Sequence, residues 1–526
     1  MTEAHSVGIE IRTRRASDAT EPLVLLDAHA KAPLFRQLYD SLRHAIIAGR
    51  LRPGARLPAA RTLGADLHLS RNTVDQAYDQ LHAEGYLDRH PRRGTFVSRT
   101  TPDQVLQAAP PPPVDRPRLY AAEESAPSRR MLSSRGRAIA EIVLPAGVNA
   151  LTLPRPFRPG VPALDAFPIQ LWARLSARHW RRASRRHLAY GHSAGYQPLR
   201  DAIAQHVSAA RGVRCTAEQV IIVGGSQQAL ALATRLLLER GDQVWMEEPG
   251  YVGARAAFIA SGASVIAVPV DDQGLDVEAG EQLAPTARMA FVTPSHQHPL
   301  GVVMTVARRL ALLDWARRAD AWILEDDYDS EIRYHGRPLP AMQGLDVDGR
   351  VIYLGTFSKT VFPALRLGYV IVPRPLVEAF STGRLIVDRH SSVVEQAVLA
   401  DFIAEGHYAR HLRRMRALYV ERQEALLDAL APFHELIDVP ATRSGLNVLA
   451  WLPPGVDDRR VAAAAAAIGI EAPPLSPFAQ HALPRGALIL NFSGHDVEAL
   501  RSAAKKLGTV LAESVGRAHE QRALGA

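Results

Sequence analysis

The stretch Val351-Ile-Tyr-Leu-Gly-Thr-Phe-Ser-Lys-Thr360, followed by Leu365-Arg-Leu-Gly-Tyr-Val370, decides how the larger part of this chain is read. The apolar run Val351–Leu354 has the length and composition of a buried strand. It ends in Thr356, Ser358 and Lys359, and Arg366 lies close behind. Hydroxyls and a guanidinium at a strand end can hold a phosphate, while a lysine amine can join an aldehyde as an imine. A solvated surface lysine is the ordinary alternative, but apolar segments on both sides of Lys359 weigh against it. Upstream, Trp322-Ile-Leu runs into Glu325-Asp-Asp-Tyr328, a second strand that ends in carboxylates. A carboxylate paired with a pyridine nitrogen keeps that ring protonated and makes it an electron sink. The two segments together point to pyridoxal 5′-phosphate (PLP), with Lys359 as its covalent anchor.

Two further segments fit the same cofactor. Ile221-Ile-Val-Gly-Gly-Ser-Gln-Gln-Ala reads as strand, glycine turn and helix start, so the N–H groups of Gly225, Ser226 and Gln227 can face a phosphate. Taken alone this only marks a helix start. Glu248-Pro-Gly-Tyr251 places an aromatic ring after a strand, where it can stack on a pyridine or simply pack in a loop. Tyr328 can hydrogen-bond a ring hydroxyl. Asp326-Asp-x-Asp also invites a divalent-metal reading, but no glycine-bearing loop or further ligands follow at suitable spacing, and no metal is assigned. Strand-like runs at Val220–Val223, Gln243–Met246, Val265–Val268, Ala290–Val292, Trp322–Leu324, Val351–Leu354 and Tyr369–Val372 alternate with helical patterns. That alternation predicts a mostly parallel sheet covered by helices. A long helix after Arg410 and a smaller α+β portion finish the chain.

Composition sets outer limits. At 526 residues the chain exceeds one compact core. The single cysteine, Cys215, excludes an internal disulfide and a cysteine metal cluster, and reads as structural. Met1–Arg15 has no apolar core of a signal peptide, and no apolar run approaches the roughly 20 residues of a membrane helix, so a cytoplasmic protein without membrane contact is expected. The net charge of +8, carried almost wholly by arginine, favours an anionic partner.

The N-terminal part suggests which anion. Residues 1–30 read as an arm with one short strand at Leu23–Leu26. In 31–99, Leu34, Leu38, Leu42, Ala45 and Ile46 recur at helical spacing, a short helix spans about Ala59–Asp66, and Ser70 caps a third beginning Arg71-Asn-Thr-Val. Val74, Ala77, Tyr78 and Leu81 form its inner face, which leaves the first turn free for DNA bases. Tyr86–Val97 reads as a hairpin with Arg92 and Arg93 at its tip, suited to phosphate or the minor groove. Leu57-Pro-Ala-Ala-Arg61, Ser70-Arg-Asn-Thr-Val, Leu81-His-Ala-Glu-Gly-Tyr and Arg93-Gly-Thr-Phe-Val resemble the winged helix-turn-helix of the GntR family. The resemblance implies Arg61, Arg71, Asn72, Thr73 and Gly94 as DNA contacts, with Ser70, Arg92 and Arg93 beside them. Residues 100–150, with Pro110-Pro-Pro-Pro, form a linker.

Residues 151–526 resemble the fold-type I aminotransferases, and the whole chain resembles the MocR subfamily of GntR regulators. Tyr190-Gly-His-Ser-Ala-Gly-Tyr-Gln-Pro-Leu-Arg200 and Thr293-Pro-Ser-His-Gln-His-Pro-Leu-Gly301 match that subfamily as well. The spacing of the family pattern selects Asp326 as the pyridine partner. Aminotransferases carry asparagine where this chain has His298, so His296, Gln297 and His298 all stand as candidates for the cofactor contact. Tyr190 is implied to reach the phosphate of a partner subunit. Aminotransferases also hold a substrate carboxylate with a late arginine, whereas Leu488-Ile-Leu-Asn-Phe-Ser has none, which leaves Arg255 and Arg443. The implied protein is a head-to-tail homodimeric regulator that binds paired half-sites of double-stranded DNA. It would sense an amino compound, or PLP itself, through an aldimine at Lys359. The alternatives are a working aminotransferase with a fused DNA module and a DNA-binding protein with an inert dimerisation domain.

Overall fold

The computed structural model describes residues 26, 27, 30, 32–91, 93–100, 132–142, 154–334 and 339–524. The chain divides into two units, Met1–Glu124 and Ser125–Ala526. Most of the arm, including all but Leu26 of the strand expected at Leu23–Leu26, lies outside the described residues, as does Arg92. Within the range read as a linker, Ser134–Ala140 is a short helix capped by Ser133.

In the first unit, helices α1 (Leu34–Ile47), α2 (Ala60–Asp66) and α3 (Arg71–Ala83) precede strands β1 (Leu87–His90) and β2 (Gly94–Val97), which pair antiparallel. All four apolar positions expected on α3 are buried. On α1 the pattern is off at one end: Leu34 is exposed in the first turn, and Tyr39 packs inside with its hydroxyl on the Glu84 carboxylate. Ala55–Leu57 lines the hairpin as a third extended segment, with Leu57 N–H on the Thr95 carbonyl and Val97 N–H on that of Ala55. The α2–α3 turn is tight. Leu69 N–H reaches the Gly64 carbonyl at 2.8 Å, and a Cβ on Gly64 would sit 2.9 Å from the Leu69 oxygen.

The second unit is built on β3 (Val220–Val223), β4 (Gln243–Glu248), β5 (Ser264–Asp271), β6 (Gly274–Leu275), β7 (Met289–Val292), β8 (Trp322–Asp327), β9 (Val351–Thr356) and β10 (Gly368–Ile371). They form one sheet in the order β3-β10-β9-β8-β7-β4-β5-β6. The sequence placed seven of these strands. It did not foresee that β10 runs antiparallel to both β9 and β3. Neighbours from β9 across to β5 are parallel, so β3, β4, β5, β7, β8 and β9 all point the same way and end along one edge. Strands β4 and β8 run further than their apolar runs, to Glu248 and Asp327, because their terminal carboxylates find partners from elsewhere in the fold. Helices α4 (Gln197–Arg211) and α5 (Ser226–Leu237) flank the sheet's β3 side, and apolar clusters cover both faces. Helices α6 (His407–Leu430) and α7 (Val497–Leu524) and the antiparallel pair β11 (Asn447–Trp451) and β12 (Ala487–Asn491) form a separate core, into which Phe157 is also packed. Among the described residues no helix is long and apolar enough to cross a membrane.

The Gly64 contact gives a test of the first unit. Gly64→Ala forces its Cβ onto a backbone oxygen and is expected to destabilise the unit by about 1–3 kcal/mol, read as a lower urea midpoint. An unchanged midpoint would show that the α2–α3 turn yields freely.

Candidate functional site

The parallel strand ends deliver the sequence-selected residues to one edge of the sheet. At the end of β3, Gly225 takes φ of +106°, which a residue with a side chain resists, and becomes the N-cap of α5. The N–H groups of Gly225, Ser226 and Gln227 have no partner among the described residues. Gly368, the first residue of β10, pairs with both Thr356 and Val223. That register sets Arg366, itself at φ +51°, over the turn: a Cβ on Gly225 would lie 3.3 Å from its guanidinium. No described carboxylate pairs with Arg366. On the β9 side the Ser358 N–H donates to the Thr356 hydroxyl oxygen at 3.2 Å, and the two hydroxyls lie 3.1 Å apart. Free N–H groups at a helix N-terminus facing an unpaired arginine form an anion cradle.

Lys359 is half-buried, and its Nζ donates to the Gly160 carbonyl at 3.1 Å. Gly160 lies 199 residues upstream, and a Cβ there would collide with the amine. Nothing in the local sequence marks it. Burial holds the Lys359 amine below the ordinary lysine range; Asp329 and Asp326 oppose this, and Arg366 adds to it. Asp326 is buried, and among the described residues its carboxylate has a single hydrogen bond, a long 3.4 Å contact from the Ser226 hydroxyl. Burial, helped by Asp327 and Asp329, pushes its carboxyl up to about 7.

The three open candidates near His298 separate clearly. The Gln297 amide is already engaged, donating to Glu247 and Pro249 O at the end of β4 and to His298 O, and accepting from Leu300 N–H. His296 Nδ1 lies 2.8 Å from Asp329, and the Tyr328 hydroxyl donates to the His296 carbonyl at 3.0 Å. His298 stands among aromatic rings instead, edge-on to Tyr251, Tyr328 and Phe478 at 5.7, 5.8 and 5.4 Å. Burial pulls its imidazole down to about 3, with Lys359 and His296 adding to the effect, so the ring is neutral. Tyr251 donates its hydroxyl to Gln227 at 3.1 Å.

Tyr190 is 77% exposed and packs with Arg389 and His390, away from the Lys359 of its own chain. Arg255 donates to the Pro477 carbonyl at 2.7 Å, and Arg443 is exposed. Asp327 and Asp329, two of the carboxylates behind the metal reading, are already engaged by Arg211 and His296.

On the first unit, Ser70 Oγ accepts the Thr73 N–H at 3.1 Å and lies 2.8 Å from the Thr73 hydroxyl, so Ser70 caps α3 and positions its first turn. Arg71 is largely exposed and leans on Asp75 at 3.2 Å. Arg61, Asn72 and Arg93 are exposed too. Gly94, at φ +109°, lies under the Arg56 side chain, an arginine at the wing's base that sequence reasoning passed over. A solvent-facing first turn beside a basic hairpin is a surface suited to a DNA groove.

Fold and site define a winged helix joined to an aminotransferase-type domain. The bacterial gntR regulatory family matches residues 34–97, and aminotransferase class I and II matches residues 161–507. The "Probable rhizopine catabolism regulatory protein MocR" of Rhizobium meliloti is 42% identical over 489 residues, covering 92% of this chain and 95% of that one. Among solved structures, a multiple substrate aminotransferase from Thermococcus profundus has a TM-score of 0.67 at 28% identity, covering 74% of this chain and 99% of its own. The α-aminoadipate aminotransferase LysN from Thermus thermophilus, complexed with N-(5′-phosphopyridoxyl)-L-leucine, has a TM-score of 0.64 at 28% identity, covering 74% and 97%. This chain belongs to the MocR-type regulators of the GntR family.

Behind the site lies a buried ion pair. Burial alone would raise the Asp327 carboxyl, but Arg211 at 2.8 Å and the Tyr353 hydroxyl hold it below the usual range. Arg211→Met strands that carboxylate and is expected to cost about 3–5 kcal/mol at neutral pH. The pair's contribution is present above the ordinary aspartate pKa and is lost as pH falls through the depressed one. In the variant Asp327 titrates higher, so urea unfolding curves of the two proteins should converge in acid. A gap that stays constant with pH would contradict the pairing.

Proposed function

We propose that the second unit binds PLP at Lys359 and that this chain is a PLP-dependent transcriptional regulator responding to an amino compound or to PLP itself. One observation carries the reading: the groups left unsatisfied along one sheet edge match the parts of PLP. Gly225, Ser226, Gln227, Thr356, Ser358 and Arg366 would hold the phosphate. Asp326 would accept the pyridine N–H, which restores its carboxylate form. Tyr251 would offer a ring face, and His298 and Tyr328, whose rings lie together, would partner the ring hydroxyl. Bound there, PLP supplies an aldehyde carbon and an electron-accepting ring. Lys359 offers an amine whose lowered basicity favours the neutral, nucleophilic form.

The reading extends to a head-to-tail homodimer in the cytoplasm. Leu188, Tyr190, Leu385, Ile386 and Val387 are exposed, and the Tyr190–Arg389 contact links the two segments that carry them. A second copy would cover this surface and bring Tyr190 to the partner's phosphate. Ser70, Arg71, Asn72, Thr73, Arg61, Arg93 and Gly94 would meet the paired half-sites, with Arg92, outside the described residues, at the wing tip. A ligand that favours one arrangement of the units changes DNA affinity by its differential binding.

Titration with PLP tests the cofactor. Wild type should gain an imine absorption band that Lys359→Ala lacks; no band in wild type removes the proposal. On duplexes from its own upstream DNA, affinity should fall steeply with salt. Arg71→Ala should cost about 1–3 kcal/mol and relax sequence preference, measured by fluorescence anisotropy. Affinity flat in salt would remove the DNA assignment.

A further inference from the structure

We propose that helix α6 is the positioning element for Lys359, acting through Tyr408 and Tyr419, a proposal that rests on the placement of PLP at that lysine. The first tyrosine fixes the backbone next to Lys359, and the second fixes the segment that holds its amine.

The first turns of α6 reach the loops that follow β8 and β9. The Tyr408 side chain is buried against the rings of His206, Phe357 and Phe402. Its hydroxyl donates to the Glu331 carboxylate and lies 2.9 Å from the hydroxyl of Thr360, the residue after Lys359. One turn on, the His411 imidazole hydrogen-bonds the Thr360 backbone, and burial pulls it down to about 4, so the ring is neutral. Glu331 stands two residues beyond Asp329. His206 Nε2 lies 2.5 Å from its carboxylate, and Arg416 Nε donates to its carbonyl at 2.7 Å. Tyr408 thus ties the chain after Lys359 to the chain after Asp329, one of the carboxylates that bear on the lysine amine.

Further along, the same helix holds the residues that follow Gly160. The Ala163 N–H donates to the Tyr419 hydroxyl at 3.0 Å in a buried contact. Arg422 pairs with Asp165 at 2.6 Å, and Arg414 donates to the Ala166 carbonyl. Gly160, three residues before Ala163, gives its carbonyl to Lys359 Nζ. The helix itself is anchored twice. Leu412 is buried in a core beside the sheet, and Met415, Leu426 and Leu430 are buried in the separate core with β11 and β12. A helix packed at both ends yields little, so α6 fixes how far the Lys359 backbone stands from the carbonyl that receives its amine. A lysine has four flexible bonds, and ordering them beforehand removes an entropy cost from any bond the amine then makes.

The test titrates the full-length, cofactor-free protein with PLP and with pyridoxine 5′-phosphate. Lys359 can join the aldehyde of the first, releasing one water, but has nothing to join in the second, which carries an alcohol there. Tyr408→Phe and Tyr419→Phe each keep the ring and remove the hydroxyl. Each is expected to weaken PLP binding about fivefold, the size of one lost hydrogen bond, and to leave pyridoxine 5′-phosphate within about twofold of wild type. Borohydride labelling of Lys359 at sub-saturating PLP should fall in step. Thr360→Val removes the Tyr408 contact from the other side. It should match Tyr408→Phe, the double variant should lose no more than either, and it decides the point alone if Tyr408→Phe does not fold. Equal losses for both ligands, unchanged affinity for both, or a lower urea midpoint with the preference for PLP intact would mark a merely structural role and overturn the proposal. Wild-type protein with no preference for PLP and no label on Lys359 removes the cofactor reading as well.

Discussion

The register of one antiparallel strand sets up the site. β10 lies between β9 and β3 and runs against both, with Gly368 facing Thr356 on one side and Val223 on the other. That pairing forces the segment between Lys359 and Arg366 to turn back at the carboxyl edge of the sheet. It places the lysine at one end of the turn and the arginine over the Gly225 N-cap at the other. Gly355, under the Tyr369 ring, and Gly368, against the Gly225 backbone, have no room for side chains, so the three strands approach closely here. A shift of register by one residue would separate the arginine from the helix N-terminus and turn every side chain of β10 over.

Around this edge the chain is careful with buried charge and then stops being so at the site itself. Glu247 receives the Thr293 N–H and hydroxyl and the Gln297 amide. Glu325 receives the N–H groups of Met342 and Gln343. Asp327 has Arg211, and Asp329 has His296. The exceptions are Asp326, with one long contact, the guanidinium of Arg366, and the three N–H groups that open α5. Buried polar groups are normally satisfied, and the proposed cofactor would supply an anion to the donors at one end of this edge and a donor to Asp326 at the other.

Much of this was legible in the sequence because it is local. The seven strands announced themselves as apolar runs, and the winged helix was readable almost residue by residue, since its caps, inner face and hairpin are set by neighbours in the chain. Lys359, Asp326 and Arg366 could be singled out because they lie beside such runs. What was missed depends on distant contacts. The Gly160 carbonyl reaches Lys359 across 199 residues, and Arg211 reaches Asp327 across 116. That β8 continues through charged residues follows from those partners and cannot be seen in hydrophobicity. That Gln297 and His296 are engaged by Glu247 and Asp329 while His298 stands among rings follows from contacts across the fold and cannot be read locally.

Lysine is scarce in this chain: Lys31, Lys359, Lys505 and Lys506 are the only four. That makes one measurement especially direct. The PLP-treated protein is reduced with borohydride, digested and mapped by peptide mass spectrometry. A pyridoxyl group is expected on the peptide containing Lys359 and on no other. A label spread over the other lysines, or absent from Lys359, would contradict it.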